Sequence, residues 1–152
     1  MKLETLITRY KNLGYTPVGG DRNHEVAAII RWIWETYGYW IDCFYVEHKF
    51  NDGEHYQKFL GRHMMIFEDG LKHSVQCKYS FTDPYDALYD AVRDIYRHLK
   101  FMGHIIILRK HFNEEQIKEV IYLKMGAEWA SRNIEETKHL IYELESRKIT
   151  KG

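Results

Sequence analysis

The sequence lacks an excess of charge, which argues against a purely electrostatic role. Its 22 basic residues balance 22 acidic residues, so no overall field draws the protein toward a polyanion. We therefore do not expect nucleic acid or a membrane as its partner, although a local basic patch is compatible with a neutral total. At 152 residues the chain is long enough to bury a core, and we expect one domain over residues 1–152.

Cysteines, targeting segments and catalytic signatures are scarce or missing. The two cysteines cannot form a disulfide framework and fit a reducing, cytoplasmic setting. No eighteen uncharged apolar residues follow one another and the N-terminal segment is amphipathic, so we predict neither a transmembrane helix nor a signal peptide. There is no HExxH, no CxxC and no serine in a nucleophile elbow. We assign no catalytic residue, metal ligand or cofactor from the sequence, and favour a protein that is not an enzyme.

What the chain does contain is two Asp-Gly pairs between segments that alternate apolar and polar residues. Asp-Gly is typical of a two-residue hairpin turn, because both turn positions need positive φ. We therefore predict three antiparallel strands within residues 39–81, with turns at Asp52-Gly53 and Asp69-Gly70. Paired residue numbers then sum to 105 at the first hairpin and to 139 at the second. The two registers agree on which face of the sheet is the core.

Helical periodicity flanks the predicted strands on both sides. Apolar residues recur at offsets of 0, 3, 4, 7 and 11 from Val26 and again from Leu88, which predicts two helices on the core face of the sheet. The expected fold is α+β, with an αβββα core over residues 24–100, a further N-terminal helix and a C-terminal helical hairpin over 113–148. The apolar run at residues 104–108 fits either a fourth strand or a buried connector.

The second face of the predicted sheet carries the candidate binding residues. They are Trp40, Asp42, Phe44, Phe59, His63, Gln76 and Lys78. In the predicted register Asp42, His63 and Gln76 stand in one row. A carboxylate beside an imidazole raises its pKa and fixes its tautomer, which acid–base chemistry or ligand binding can use. The simpler interpretation, which we prefer, is an ordinary cross-strand pair under a covering helix. A slip of one residue in either turn would separate the row.

Part of the chain resembles a known group of proteins. The relevant features are Trp32 and Glu35 on a helix, the segment Tyr39-Trp40-Ile41-Asp42, and the segment Phe81-Thr82-Asp83-Pro84-Tyr85-Asp86-Ala87-Leu88 that opens the next helix. They resemble a set of short, uncharacterised bacteriophage and mobile-element proteins with a tryptophan-bearing helix, a three-stranded meander and a final "eAl" helix. The resemblance covers about half of the chain and implies the fold, a phage-like origin and the host-cell cytoplasm, but no catalytic residues.

The order helix, three strands, helix also resembles a double-stranded RNA-binding domain. In such domains the second helix begins with lysines that grip phosphates. Here that position has Asp83, Asp86 and Asp90, whose charge repels phosphate. We therefore exclude double-stranded RNA.

Three functional hypotheses follow. The favoured one is a non-enzymatic interaction protein that forms homo-oligomers or binds a host or virion protein. The second is a protein that binds a small, nucleotide-like ligand on the aromatic face. The third is a hydrolase that uses the pair Asp42 and His63.

Overall fold

The computed structural model describes residues 2–49, 55–66, 70, 72–121 and 131–150. The elements in these ranges are α1 Leu3–Asn12, α2 Arg22–Tyr37, β1 Tyr39–Lys49, β2 His55–Ile66, β3 Lys72–Phe81, α3 Pro84–Arg109, α4 Glu114–Val120 and α5 Ile134–Thr150. The strands form one antiparallel sheet in the order β1-β2-β3. The predicted α+β fold, with its meander and N-terminal helix, is confirmed.

The chain divides into two compact units, Met1–Tyr96 and Arg97–Gly152. The first unit contains α1, α2, the sheet and the first half of α3. Its buried apolar residues include Leu6, Tyr10, Val26, Ile29, Ile33, Ile41, Ala87, Ala91, Val92 and Ile95. The two predicted helical stripes are therefore the residues that pack this core.

Helix α2 is apolar on two sides because it packs against α1 as well as the sheet. The Tyr10 ring of α1 meets Trp32 edge-on at 6.2 Å between centroids, and Tyr15 meets the same indole at 5.8 Å. The Tyr10 hydroxyl donates a 2.6 Å hydrogen bond to the carbonyl oxygen of Val92 in α3. Helix α1 and Tyr15 thus cover the side of α2 that carries Trp32.

The loop before α2 is organised by the buried carboxylate of Glu25. It accepts hydrogen bonds from the Tyr15 hydroxyl at 2.7 Å and from the Gly19 amide at 2.6 Å. Burial raises the pKa of Glu25, but these donors and the amides of Val18 and Gly20 outweigh it and hold the pKa below its ordinary value. The glycine-rich loop thus wraps an internal carboxylate. Asp21 caps the helix by accepting from the His24 amide.

We expect Glu25→Gln to lower the free energy of unfolding by about 2 kcal/mol at pH 7, because a neutral amide replaces a buried anion that accepts several hydrogen bonds. The folded pKa is depressed, so this stabilisation is present above the ordinary value of 4.5 and is lost as pH falls below it. The difference between wild type and variant in urea unfolding should therefore shrink between pH 5 and pH 3. Exposed Glu4→Gln is the control, and a constant difference across that range would contradict the assignment.

Helix α3 packs closely against β2 at Gly61. A Cβ built on Gly61 would lie 2.4 Å from the Ala87 carbonyl oxygen and 2.8 Å from the Ala91 Cβ. Both distances are shorter than packed atoms tolerate. The Ala87 oxygen belongs to the helix backbone, so it cannot rotate away as a side chain can. Gly61 and the two alanines therefore let the helix rest directly on the strand. Three residues of β3, Cys77 to Tyr79, stand opposite Gly61 as a bulge, since Leu60 pairs with Ser80 and Arg62 pairs with Gln76.

We predict that Gly61→Ala lowers the free energy of unfolding by about 3 kcal/mol, at the upper end of the usual cost of overpacking. Ser74→Ala, at an exposed position of the neighbouring strand, should change it by less than about 0.5 kcal/mol. Chemical denaturation of both variants measures the difference. Equal stabilities would show that α3 is not seated on Gly61.

The predicted strand register is wrong at both hairpins. Paired numbers on β1 and β2 sum to 104, as in Tyr39 with Met65, rather than to 105. On β2 and β3 they sum to 138 next to the turn and to 140 beyond the bulge, rather than to 139. When the numbers of two paired residues add up to an even sum, an odd number of residues lies between them. A two-residue turn requires an even number. Gly70 has the expected positive φ of 85°; Asp52, Gly53 and Asp69 lie outside the described residues.

The second unit is helical in the ranges that the structure describes. Its core consists of Ile105, Leu108, Ile117 and Ile141. Residues 104–108 form neither a strand nor a connector, because α3 continues through Gly103 to Arg109. Asn113 caps α4 by accepting from the Gln116 amide, and α5 begins at Ile134; residues 122–130 of the predicted hairpin lie outside the described residues. No helix in the described ranges combines the length and apolar character that crossing a membrane requires.

Candidate functional site

The face of the sheet that points away from α2 and α3 is named the open face here. Its described side chains are Trp40, Asp42, Phe44 and Val46 on β1, Lys58, Leu60, Arg62 and Met64 on β2, and Lys72, Ser74, Gln76, Lys78 and Ser80 on β3. None of them is buried. The opposite side of each strand supplies the buried residues Tyr39, Ile41, Gly61 and Cys77, which fixes the assignment of the two faces.

An ion pair lies at the centre of the open face. Arg62 donates two hydrogen bonds to the Asp42 carboxylate, from Nε at 2.8 Å and from Nη2 at 2.6 Å, and these raise the pKa of Arg62. Its guanidinium also lies over the Phe44 ring, 5.2 Å from the centroid. Asp42, Arg62 and Gln76 are cross-strand neighbours. The predicted row of Asp42, His63 and Gln76 is therefore wrong, and the row that forms has Arg62 between Asp42 and Gln76.

Trp40 is the large exposed aromatic residue at one end of this row. Its indole is 43% exposed and its position is held on two sides. Nε1 donates a 3.2 Å hydrogen bond to Asp42, and the ring packs edge-on against Trp34 at 5.8 Å. An exposed ring that is already oriented loses little conformational entropy when a partner binds.

Five of the seven predicted binding residues share the open face. They are Trp40, Asp42, Phe44, Gln76 and Lys78. Phe59 and His63 lie on the other face, because the one-residue slip inverts β2. Phe59 packs there against Tyr45 at 5.5 Å. The predicted pair of Asp42 and His63 does not form, which removes the basis of the hydrolase hypothesis.

Sequence reasoning missed the basic residues of β2 on the open face. Arg62 and Lys58 were placed on the core face by the predicted register. Their positive charge could have revealed the wrong register, since burying two cations in a core is unfavourable. A register shifted by one residue would have moved both to solvent.

His63 belongs to a cluster on the helix-covered face. Its Nε2 lies 3.1 Å from Asp94 Oδ2, and Cys77 Sγ lies 4.0 Å from the same oxygen. One donor atom from each of the three side chains lies within 4.8 Å of the others. The three residues come from β2, β3 and α3, so the fold assembles a set of nitrogen, sulfur and oxygen donors that the sequence separates.

Two carboxylates, Asp94 and Asp90, and the Arg93 guanidinium act on Cys77, and Asp94 is the exposed member of the cluster. Burial, followed by the charges of Asp94 and Asp90, raises the pKa of the Cys77 thiol to about 12. Asp90 is 4% exposed; its Oδ1 accepts from Arg93 at 2.7 Å, while its buried Oδ2 has no hydrogen-bond partner among the described residues. Without a cation, this side of the sheet therefore holds a neutral thiol and an under-satisfied carboxylate.

A pocket of about 410 Å³ lies between α2, β1 and α3. Its wall is mainly apolar, with Val26, Ile30, Ile41 and Leu88 and the polar residues Asn23 and Asp42. The volume falls within the range of small-molecule sites. The Asp42 carboxylate is bound by Arg62 and Trp40 on the open face, so it does not orient a ligand in this pocket, which offers few other polar groups.

Comparisons of this chain with protein-family models, with curated proteins and with solved structures found no match.

The two thiols should differ in reactivity. Both are free; Cys77 is 4% exposed, and Cys43 is partly exposed. We expect the Cys43→Ser protein, in which Cys77 is the single thiol, to react with iodoacetamide at pH 8 at least about 100-fold more slowly when folded than in urea, because only the thiolate is nucleophilic. The Cys77→Ser protein provides the comparison and should show a smaller ratio. The reaction is run with a chelator, and equal ratios would contradict the burial of Cys77.

Proposed function

We propose that this is a non-enzymatic binding protein whose open face contacts an acidic segment of a partner protein. One observation carries the proposal, an apolar stripe along β1 and β2 that cations interrupt and border. The stripe consists of the partly buried residues Phe44, Val46, Leu60 and Met64, and the cations are Lys58, Arg62, Lys72 and Lys78. The face has one carboxylate among its described side chains, Asp42, and Arg62 neutralises it.

This arrangement matches the anatomy of a protein interface. Such interfaces have an apolar centre and a polar rim, and Trp and Arg contribute most often to affinity. Trp40 and Arg62 are both oriented before binding by Asp42, so less entropy is lost on association. The sheet is about 15 Å wide at roughly 5 Å per strand. A contact this narrow is smaller than the standard interface of about 1,600 Å², and we expect micromolar affinity.

The charge of the face selects an acidic partner. The lysines of β3 are exposed and are placed to steer an anionic segment and to pair with it at the rim. Rim pairs contribute little each, about 0.2–1 kcal/mol, so the apolar stripe must supply most of the affinity. The partner segment therefore needs both acidic and apolar side chains.

Single-stranded nucleic acid is a weaker match to the same surface. Sheets that bind it stack two or three bases on neighbouring aromatic rings. The Phe44 ring is already covered by the Arg62 guanidinium, which leaves Trp40 as the exposed ring among the described side chains of the open face. Self-assembly and the origin suggested by the resemblance to bacteriophage proteins stay predictions.

The binding test uses three 16-residue probes: a peptide of alternating acidic and aromatic residues, the same peptide with lysine replacing the acids, and oligothymidine. Fluorescence anisotropy should give micromolar binding of the acidic peptide alone, weakening with salt. We expect the Lys72→Glu/Lys78→Glu variant to lower its affinity at least tenfold. Lys11→Glu/Lys118→Glu, which changes the net charge equally at exposed positions, is the control.

Three outcomes would overturn the proposal. The lysine peptide or the oligonucleotide binds more tightly than the acidic peptide, or the control variant weakens binding as much as the β3 variant does. The third outcome is a dimer, detected by sedimentation, that the β3 substitutions dissociate. A second copy of the protein would then be the partner that binds the open face.

A further inference from the structure

The cluster of His63, Cys77 and Asp94 on the helix-covered face contains the donor types of a metal centre. We propose that these three side chains bind one Zn²⁺ ion, through His63 Nε2, Cys77 Sγ and a carboxylate oxygen of Asp94. This site is distinct from the open face, since alternation along β2 sends Arg62 and His63 to opposite sides of the sheet. It does not depend on the proposed binding function.

The distances fit a tetrahedral ion with small adjustments. Ligands at 2.0–2.3 Å from zinc lie about 3.3–3.7 Å from one another in tetrahedral geometry. His63 Nε2 and Asp94 Oδ2 are 3.1 Å apart, and Cys77 Sγ and Asp94 Oδ2 are 4.0 Å apart. No pair in the set exceeds 4.8 Å. A rearrangement of about 1 Å or less would complete three positions and leave the fourth for water.

The charges and the donor types also select zinc. When the ion binds, the Cys77 thiol loses its proton to solvent, and the Zn–S bond replaces the S–H bond. One thiolate, one carboxylate and one neutral imidazole then balance Zn²⁺. A mixed nitrogen, sulfur and oxygen set is typical of zinc, whereas Mg²⁺ and Ca²⁺ prefer oxygen ligands alone.

Asp90 gives a second, independent observation. It lies one helical turn before Asp94 on α3, is almost fully buried, and its Oδ2 has no hydrogen-bond partner among the described residues. Its charge acts on Cys77, since it contributes to raising the pKa of that thiol. Arg93 bonds only the other oxygen of Asp90. Because its charge is felt at Cys77, a cation bound by the cluster would stabilise this partly unsatisfied buried carboxylate electrostatically.

The test is a cobalt titration of the full-length protein, reduced and freed of metal. We expect one equivalent of Co²⁺ to bind, with a thiolate-to-cobalt charge-transfer band and the intense d–d bands of tetrahedral cobalt. Zn²⁺ should displace it and raise the melting temperature. Cys77→Ser should abolish the charge-transfer band, and His63→Gln and Asp94→Asn should each weaken Co²⁺ binding at least tenfold.

Two matched controls separate this site from other metal contacts. Cys43→Ser removes the other thiol of the same face, and His73→Gln removes an exposed histidine of β3; both should bind Co²⁺ as wild type does. The proposal fails if wild type gives no charge-transfer band, if the band survives in Cys77→Ser, or if Asp94→Asn binds unchanged. Far-UV circular dichroism checks that each variant folds, and the half-exposed Asp94 can be replaced with little risk to the core.

Discussion

The close approach of α3 to Gly61 is the constraint on which the rest of the first unit depends. A helix that touches strand backbone has no room to slide, so every side chain of α3 near that contact has a fixed neighbour on the sheet. Asp94 lies three residues beyond Ala91 and therefore on the same side of the helix. His63 lies two residues beyond Gly61 and therefore on the same side of the strand. The contact at Gly61 thus brings Asp94 to His63, and the bulge opposite Gly61 brings Cys77 to both.

The features that were predictable from the sequence are those that neighbouring residues determine. The caps at Asp21 and Asn113, the left-handed end of α2 at Gly38 and the apolar stripes of α2 and α3 all follow from local spacing. The extension of α3 was not predictable in this way, because Gly103 disfavours a helix locally. Burial of Ile105 and Leu108 in the second core overrides that preference.

The open face was partly predictable from the sequence, because successive side chains of a strand point to alternate faces. The faces of β1 and β3 were correctly separated, because alternation within a strand is a property of its own sequence. The match between strands depends on the number of residues in each connection, and Asp-Gly indicates a turn without fixing its length. One residue of difference exchanged His63 for Arg62 beside Asp42. The three proposed metal ligands, His63, Cys77 and Asp94, are 14 and 17 residues apart in the chain. This spacing matches no metal-binding sequence motif.

Because side chains alternate along β2, the neighbouring residues Arg62 and His63 lie on opposite faces of the sheet and make different contacts. On the open face Arg62 is held by Asp42 through two hydrogen bonds. On the other face His63 is held by Asp94, and zinc would replace that single hydrogen bond with stronger coordination. Because Gly61 already presses this part of the strand against α3, the backbone at 61–63 has little freedom to absorb a change on either side. Coordination of His63 should therefore restrict the guanidinium of Arg62, and the open face would be more rigid with the metal bound than without it.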